Sequence, residues 1–442
     1  MGAIAGYSTW NPDHFLDVAE MTTAMAVGYN WCYDVLSETS RNTIVNAIAE
    51  KGLAPGLTYT YWVERTNNWN QVCNAGMVMG ALAIRDVKPE IAQKLLDQAD
   101  KSIDLAMDAY GPDGAYNEGY VYWDYGTTFN VMMIDALKGA GEPTDRFTAK
   151  RGFMNSGRYM LHMCLNDMNC FNYGDCSESG FFVPAMCWYA ANTNDPSVLW
   201  NQLYFLENLS EGAIYNNRFS VLAMIWGAGR DSAASMPAEK MDIWNNCETP
   251  IAIMRDTWEY NKGISVAIKG GNCQTPHTHM DIGSFVLSSG SVRWIKDFGA
   301  QDYYSIEKLG MGLWAYGQDE DRWKIFRYNN MAHNTLVFDN QLQLVKEKAD
   351  FIAKSENPMS VTLDLSALYK NKVESAIRTV TLEGGKVVVR AVIKTGAEPV
   401  ELRWNLLTDA TAKVKDEKTI TLTKDTEGLT ISNLGNAPVK AR

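Results

Sequence analysis

The chain has 442 residues, a formal net charge of −12, five histidines and eight cysteines. That length exceeds what one hydrophobic core usually fills, so two domains are expected. The negative charge argues against nucleic acid as a partner, and the sequence holds no apolar run of about eighteen residues, which excludes a helical membrane span.

The opening MGAIAGYSTW lacks the basic start and apolar core of a signal peptide, so either the protein stays inside the cell or a leader precedes this chain. Apolar residues at helical spacing then predict helices over 14–36, 40–51, 67–84, 89–109, 116–137 and 144–165. Asn11-Pro12 marks the start of the first, Ser37 or Thr39 caps the second, and Gly52 stops it. Shorter helices are predicted over 182–191, 197–208 and 218–226. Helix pairs in series without strands point to an all-helical (α/α) toroid or solenoid.

Two stretches of this half stand out. Thr66-Asn67-Asn68-Trp69-Asn70-Gln71-Val72-Cys73-Asn74 places five amides at a helix start, more than a cap needs. In Asp113-Gly114-Ala115-Tyr116-Asn117-Glu118-Gly119-Tyr120-Val121-Tyr122-Trp123-Asp124-Tyr125-Gly126, Tyr122 and Tyr125 fall on one helical face at i and i+3. The chain carries 14 Trp and 21 Tyr, and flat amphipathic rings such as Trp123 suit sugar surfaces as well as cores. Cys164, Cys170 and Cys176 recur in a loop-like stretch without a CxxC pair, which favours free thiols over zinc or disulfide use.

At 227–239 a run of small residues and breakers reads as a linker, dividing the chain at about 230 into a helical domain, 1–230, and a β domain, 231–442. Beyond it come short alternating runs with Gly-Gly, Asp-Asn and Lys-Asp turns, the pattern of an antiparallel β-sandwich. The stretch 277–299, HTHMDIGSFVLSSGSVRWIKDFG, holds two of the five histidines. As a strand it would put His277, His279 and Asp281 on one face, and Ser288-Ser289-Gly290 would turn it back toward Asp297. His333, in AHNTLVFD, opens a further apolar strand. Two histidines and a carboxylate with an open fourth position are the usual make-up of a catalytic-type zinc site, although an isolated HxH is as often a core pair.

The run H-x-H-x-D-x-G-x-F, the strand ending D-x-G and the later H-N-T-L resemble the C-terminal half of the heparinase II/III-like polysaccharide lyases. The amide and tyrosine motifs resemble that family as well, in the same order. The resemblance implies an α+β multidomain fold, a toroid followed by an antiparallel β-sandwich with longer flanks than this chain has. It also implies β-elimination on a uronic-acid polysaccharide of the heparin or heparan sulfate type, in the periplasm or outside the cell. Carried over residue by residue, it makes Asn68 the group that holds the uronate carboxylate, with Asn70 its rival. Tyr122 becomes the acid or base, with Tyr125 its rival, and His277 the assisting base. His279, Asp297 and His333 match the metal ligands, for a single zinc that organises the site. Glu118, Trp123 and Arg255 are the remaining candidates for substrate contact, and Arg65, Arg293, Arg322 and Arg327 also carry the charge to bind sulfate or carboxylate. Two other readings compete: a zinc-dependent glycan hydrolase with Asp281 or Glu118 as general base, and a polysaccharide-binding protein without turnover.

Overall fold

The computed structural model describes residues 1–208, 217–228 and 235–435. The expected linker falls partly outside the described residues, as do the last seven positions. The chain divides into two compact units. One comprises Met1–Tyr116, Val121–Met160 and Phe182–Ala234; the other comprises Asn117–Tyr120, Leu161–Phe181 and Ser235–Arg442, so the β unit draws two short segments from the helical half of the sequence.

The helical unit is built on Phe15–Trp31, Glu38–Ala47, Asn68–Ile84, Pro89–Asp108 and the helix Tyr120–Gly139. Ser37 caps the second, its Oγ accepting the N–H of Ser40 at 3.1 Å. Phe15–Trp31 packs on Asn68–Ile84, which packs in turn on Pro89–Asp108. The continuous helix expected over 144–165 is instead three pieces, Asp145–Thr148, the 3-10 turn Phe153–Asn155 and Ser156–His162. Gly152, at φ 86°, interrupts it with a left-handed step that no helix tolerates.

In the other unit, a five-stranded antiparallel sheet runs in simple order: β1 (Met241–Trp244), β2 (Ile251–Arg255), β3 (Ile264–Lys269), β4 (Phe285–Ser289) and β5 (Val292–Ile295). The short β6 (Leu336–Phe338) follows, then β7 (Phe351–Glu356), β8 (Met359–Asp364), β9 (Val373–Glu383) and β10 (Lys386–Thr395), a second antiparallel sheet in the order β10-β9-β8-β7. β11 (Leu402–Trp404) pairs with β6, and β12 (Thr411–Asp416), β13 (Thr419–Lys424) and β14 (Glu427–Ser432) make a final meander. Val266, Ile268, Phe285 and Leu287 of the first sheet share one core with Val361, Leu363, Val380 and Leu382 of the second. Burying that shared face is what joins the sheets as a sandwich.

The stretch 277–284 is not the strand its alternation predicts. β4 begins only at Phe285, and His277 and Gly283 take φ values of 59° and 79°, which a strand cannot contain. His277, His279 and Asp281 are therefore presented by a loop that enters the sheet. No helix among the described residues is long and apolar enough to cross a membrane.

Candidate functional site

His277 is held from several sides within the β unit. Its Nδ1–H donates to Glu118 Oε1 at 2.6 Å, with both side chains buried. Its backbone N–H donates to the Tyr316 hydroxyl at 3.1 Å, and its carbonyl accepts the N–H of Asp175 at 2.9 Å. Positive φ is unusual for histidine, and these bonds over-determine it. Gly174 permits the approach, since a Cβ there would stand 2.5 Å from the His277 carbonyl oxygen. The Glu118 carboxylate on Nδ1 fixes the orientation of the ring.

His279 and His333 lie deeper, both wholly buried, with ring centroids 5.3 Å apart. His279 donates from Nε2 to Asp175 Oδ1 at 2.8 Å, and His333 donates from Nδ1 to Asp297 Oδ2 at 2.7 Å. Each ring keeps one buried nitrogen without a hydrogen bond, Nδ1 of His279 and Nε2 of His333. Burial lowers the pKa of His279. Burial also works against a proton on His333, but the Asp297 carboxylate outweighs it and raises that pKa. Among the described residues no group of three or more His, Cys, Asp or Glu side chains is arranged to hold a metal. Asp297 stands behind His333, its other oxygen accepting the N–H of Gly299 at 2.9 Å, rather than beside it as a third ligand. Two orphaned imidazole nitrogens, each backed by a carboxylate, nonetheless suit a cation, because outer carboxylates of this kind fix the ligating tautomer. Asp281, expected to join the histidines, instead forms a buried ion pair with Lys269 and accepts the N–H of Gly174.

In the helical unit the amide and tyrosine motifs meet. Gly126 makes this possible: a Cβ there would lie 2.2 Å from Gln71 Oε1 and 3.2 Å from the Asn68 Cβ. Tyr122 is four residues before Gly126 on the same helix, a spacing that puts the two on one helix face. Tyr125 is engaged elsewhere, donating its hydroxyl at 2.8 Å to Glu20, which pairs with Arg218. Burial, reinforced by the Glu20 carboxylate, pushes its phenol pKa far up. Asn70 is a core residue: its amide nitrogen donates to the carbonyls of Val63 and Ser102 and to Ser102 Oγ, and its oxygen accepts from Asn74.

Residues 251–442 match the family model described as heparinase II/III-like, C-terminal. That match covers somewhat less than half of the chain. No curated protein matches the chain. Among solved structures, a heparinase III is similar with a TM-score of 0.64 and 12% identity, over 93% of this chain and 60% of that one. A mutant heparan sulfate lyase of Pedobacter heparinus matches with a TM-score of 0.64 and 15% identity, over 97% and 61%. A methylated heparinase III gene product matches with a TM-score of 0.63 and 13% identity, over 94% and 58%. The fold, a helical toroid followed by an antiparallel β-sandwich, is the one these structures share, and the chain spans about three-fifths of their length.

Several charged and aromatic residues expected at the ligand prove to be framework. The β unit buries Arg255, whose guanidinium donates to the carbonyls of His162 and Cys164 and stacks on Trp258. Desolvation lowers its pKa to about 9. Arg293 forks onto the Asp167 carboxylate at 2.9 and 3.0 Å, and Arg322 joins Asp175 Oδ2 at 2.9 Å to the Thr278 carbonyl. In the helical unit Trp123 is wholly buried, its Nε1–H donating to Ser156 Oγ at 2.7 Å, so it offers no face to a sugar. Asp175 is the residue that sequence reasoning missed. It binds His279, Arg322 and the His277 carbonyl from a Cys-rich loop, and the only local signal was the turn Tyr173-Gly174-Asp175 with Gly174 at φ 60°.

Proposed function

We propose that the chain is a polysaccharide lyase that cleaves uronate-containing glycans of the heparan sulfate class by β-elimination, in the periplasm or outside the cell. The observation that carries this reading is the buried hydrogen bond from His277 to Glu118 in a chain whose residues 251–442 are heparinase II/III-like. Likeness of fold to solved heparinase III and heparan sulfate lyase structures supports it.

The difficult step is loss of the uronate C5 proton, because the adjacent carboxylate resists more negative charge. Asn68, a neutral amide, stabilises the enolate-like intermediate by donating to that carboxylate without adding a proton. His277 removes the C5 proton at Nε2, while Glu118 accepts from Nδ1–H and stabilises the imidazolium that forms. Tyr122 protonates the departing O4, and the C4–O4 bond breaks as the C4–C5 double bond forms. A zinc ion held by His279 Nδ1 and His333 Nε2 would supply a fixed positive charge and a brace for both rings. The general bases that hydrolysis needs are otherwise engaged, Asp281 by Lys269 and Glu118 by His277. Replacing the pair tests the assignment: His277→Ala is expected to lower kcat by about a hundredfold or more and Glu118→Gln by about tenfold or more, measured on heparan sulfate. Unchanged turnover in both variants would remove His277 from the chemistry.

A further inference from the structure

The β unit leaves one large indole in water beside its candidate base. Trp314 is 51% exposed, whereas Trp62, Trp123, Trp188 and Trp323 are almost wholly buried. It is nevertheless held firmly. Its ring meets His277 edge to face at 5.7 Å, with the planes 89° apart, and meets Tyr303 edge to face at 5.0 Å. Its Nε1–H donates to Glu307 Oε1 at 3.4 Å, and two residues later the Tyr316 hydroxyl accepts the His277 N–H. The segment is thus fastened to His277 through both side chain and backbone.

An exposed indole fixed in this way suits a partner with one flat apolar face and a polar rim. A pyranose ring has that character: its C–H groups can cover the indole while its hydroxyls reach water and flanking polar groups such as Glu307 and the Tyr303 phenol. Because the indole is already ordered, little side-chain freedom is lost on binding. Contact with His277 places any stacked ring close to the proton being removed. We propose that Trp314 is a sugar-stacking platform for the uronate-containing chain, holding the unit next to the one that His277 deprotonates. This rests on the lyase reading, and makes Trp314 a positioning residue with no proton to transfer.

The test compares wild-type protein with Trp314→Ala and Trp314→Phe, all checked for folding by circular dichroism. Affinity electrophoresis through gels holding heparan sulfate, chondroitin sulfate, hyaluronate or alginate is paired with turnover on the same polymers. Trp314→Ala is expected to weaken retention and raise KM by about tenfold with kcat within about twofold, and Trp314→Phe to fall between it and wild type. Cleavage with an unaltered KM and unaltered retention in Trp314→Ala overturns the platform and leaves the lyase standing. Retention that depends on Trp314 without cleavage of any polymer upholds the platform and removes the lyase. If wild-type protein is neither retained by nor active on any of the four, both fall.

Discussion

At the residue scale, two tyrosines one helical turn apart have different surroundings. Tyr122 shares a helix face with Gly126, which abuts Asn68, whereas the Tyr125 hydroxyl is spent on Glu20. A phenol must release its proton in the transition state to act as an acid, and a carboxylate partner makes that harder. Tyr122→Phe is therefore expected to lower kcat by about a hundredfold or more, and Tyr125→Phe to leave kcat within about threefold while costing about 1 kcal/mol of stability, read by denaturant unfolding. A larger kinetic loss from Tyr125→Phe would reverse the assignment. Sequence spacing put both rings on one face but carried no information about Glu20, a hundred and five positions away, and so left the two as rivals. The same distance hid Asp175 and the Glu118 contact to His277, which span 104 and 159 positions.

Among the elements, regular ones were legible and the loops between them were not. The helix Asn68–Ile84 and the hairpin of β4 and β5 declare themselves through period and turn residues. The loop 277–284 looked like a strand because its polar and apolar residues alternate, yet His277 and Gly283 have positive φ, which alternation does not encode. The helix Tyr120–Gly139 carries a titration of its own. Burial pushes the Asp124 carboxyl up to about 7, against the opposing donation from the Thr128 hydroxyl at 3.1 Å. The folded pKa thus lies above the unfolded value of about 3.9, so the folded state binds this proton more tightly. Its contribution is fully present below about pH 4 and is lost as pH rises through about 7. The melting temperature should fall by a few degrees between pH 5 and 8, and Asp124→Asn should flatten that fall; an identical slope in the variant would contradict the shift. For the His279–His333 pair, metal analysis should find roughly one zinc per chain, lost in His279→Ala and His333→Ala, and chelation should lower the melting temperature of the wild-type protein alone. Equal zinc content in all three proteins would count against these ligands.

For the whole molecule, a helical half followed by antiparallel sheets was visible in the change of period near residue 230, and the family resemblance in the β half is matched over 251–442. Segment exchange was not visible: Asn117–Tyr120 and Leu161–Phe181 belong to the β unit, so its loops are completed by chain from the helical half. Local periodicity cannot report which body a turn joins. If the proposed activity on an anionic polymer holds, a chain of net charge −12 should also be strongly salt-sensitive, since only local positive charge opposes the overall repulsion. The most direct measurement follows ultraviolet absorbance while purified protein is mixed in turn with heparan sulfate, chondroitin sulfate, hyaluronate and alginate. Elimination predicts a steady rise on heparan sulfate from the conjugated unsaturated uronate. New reducing ends without that rise would establish hydrolysis instead and contradict the lyase chemistry.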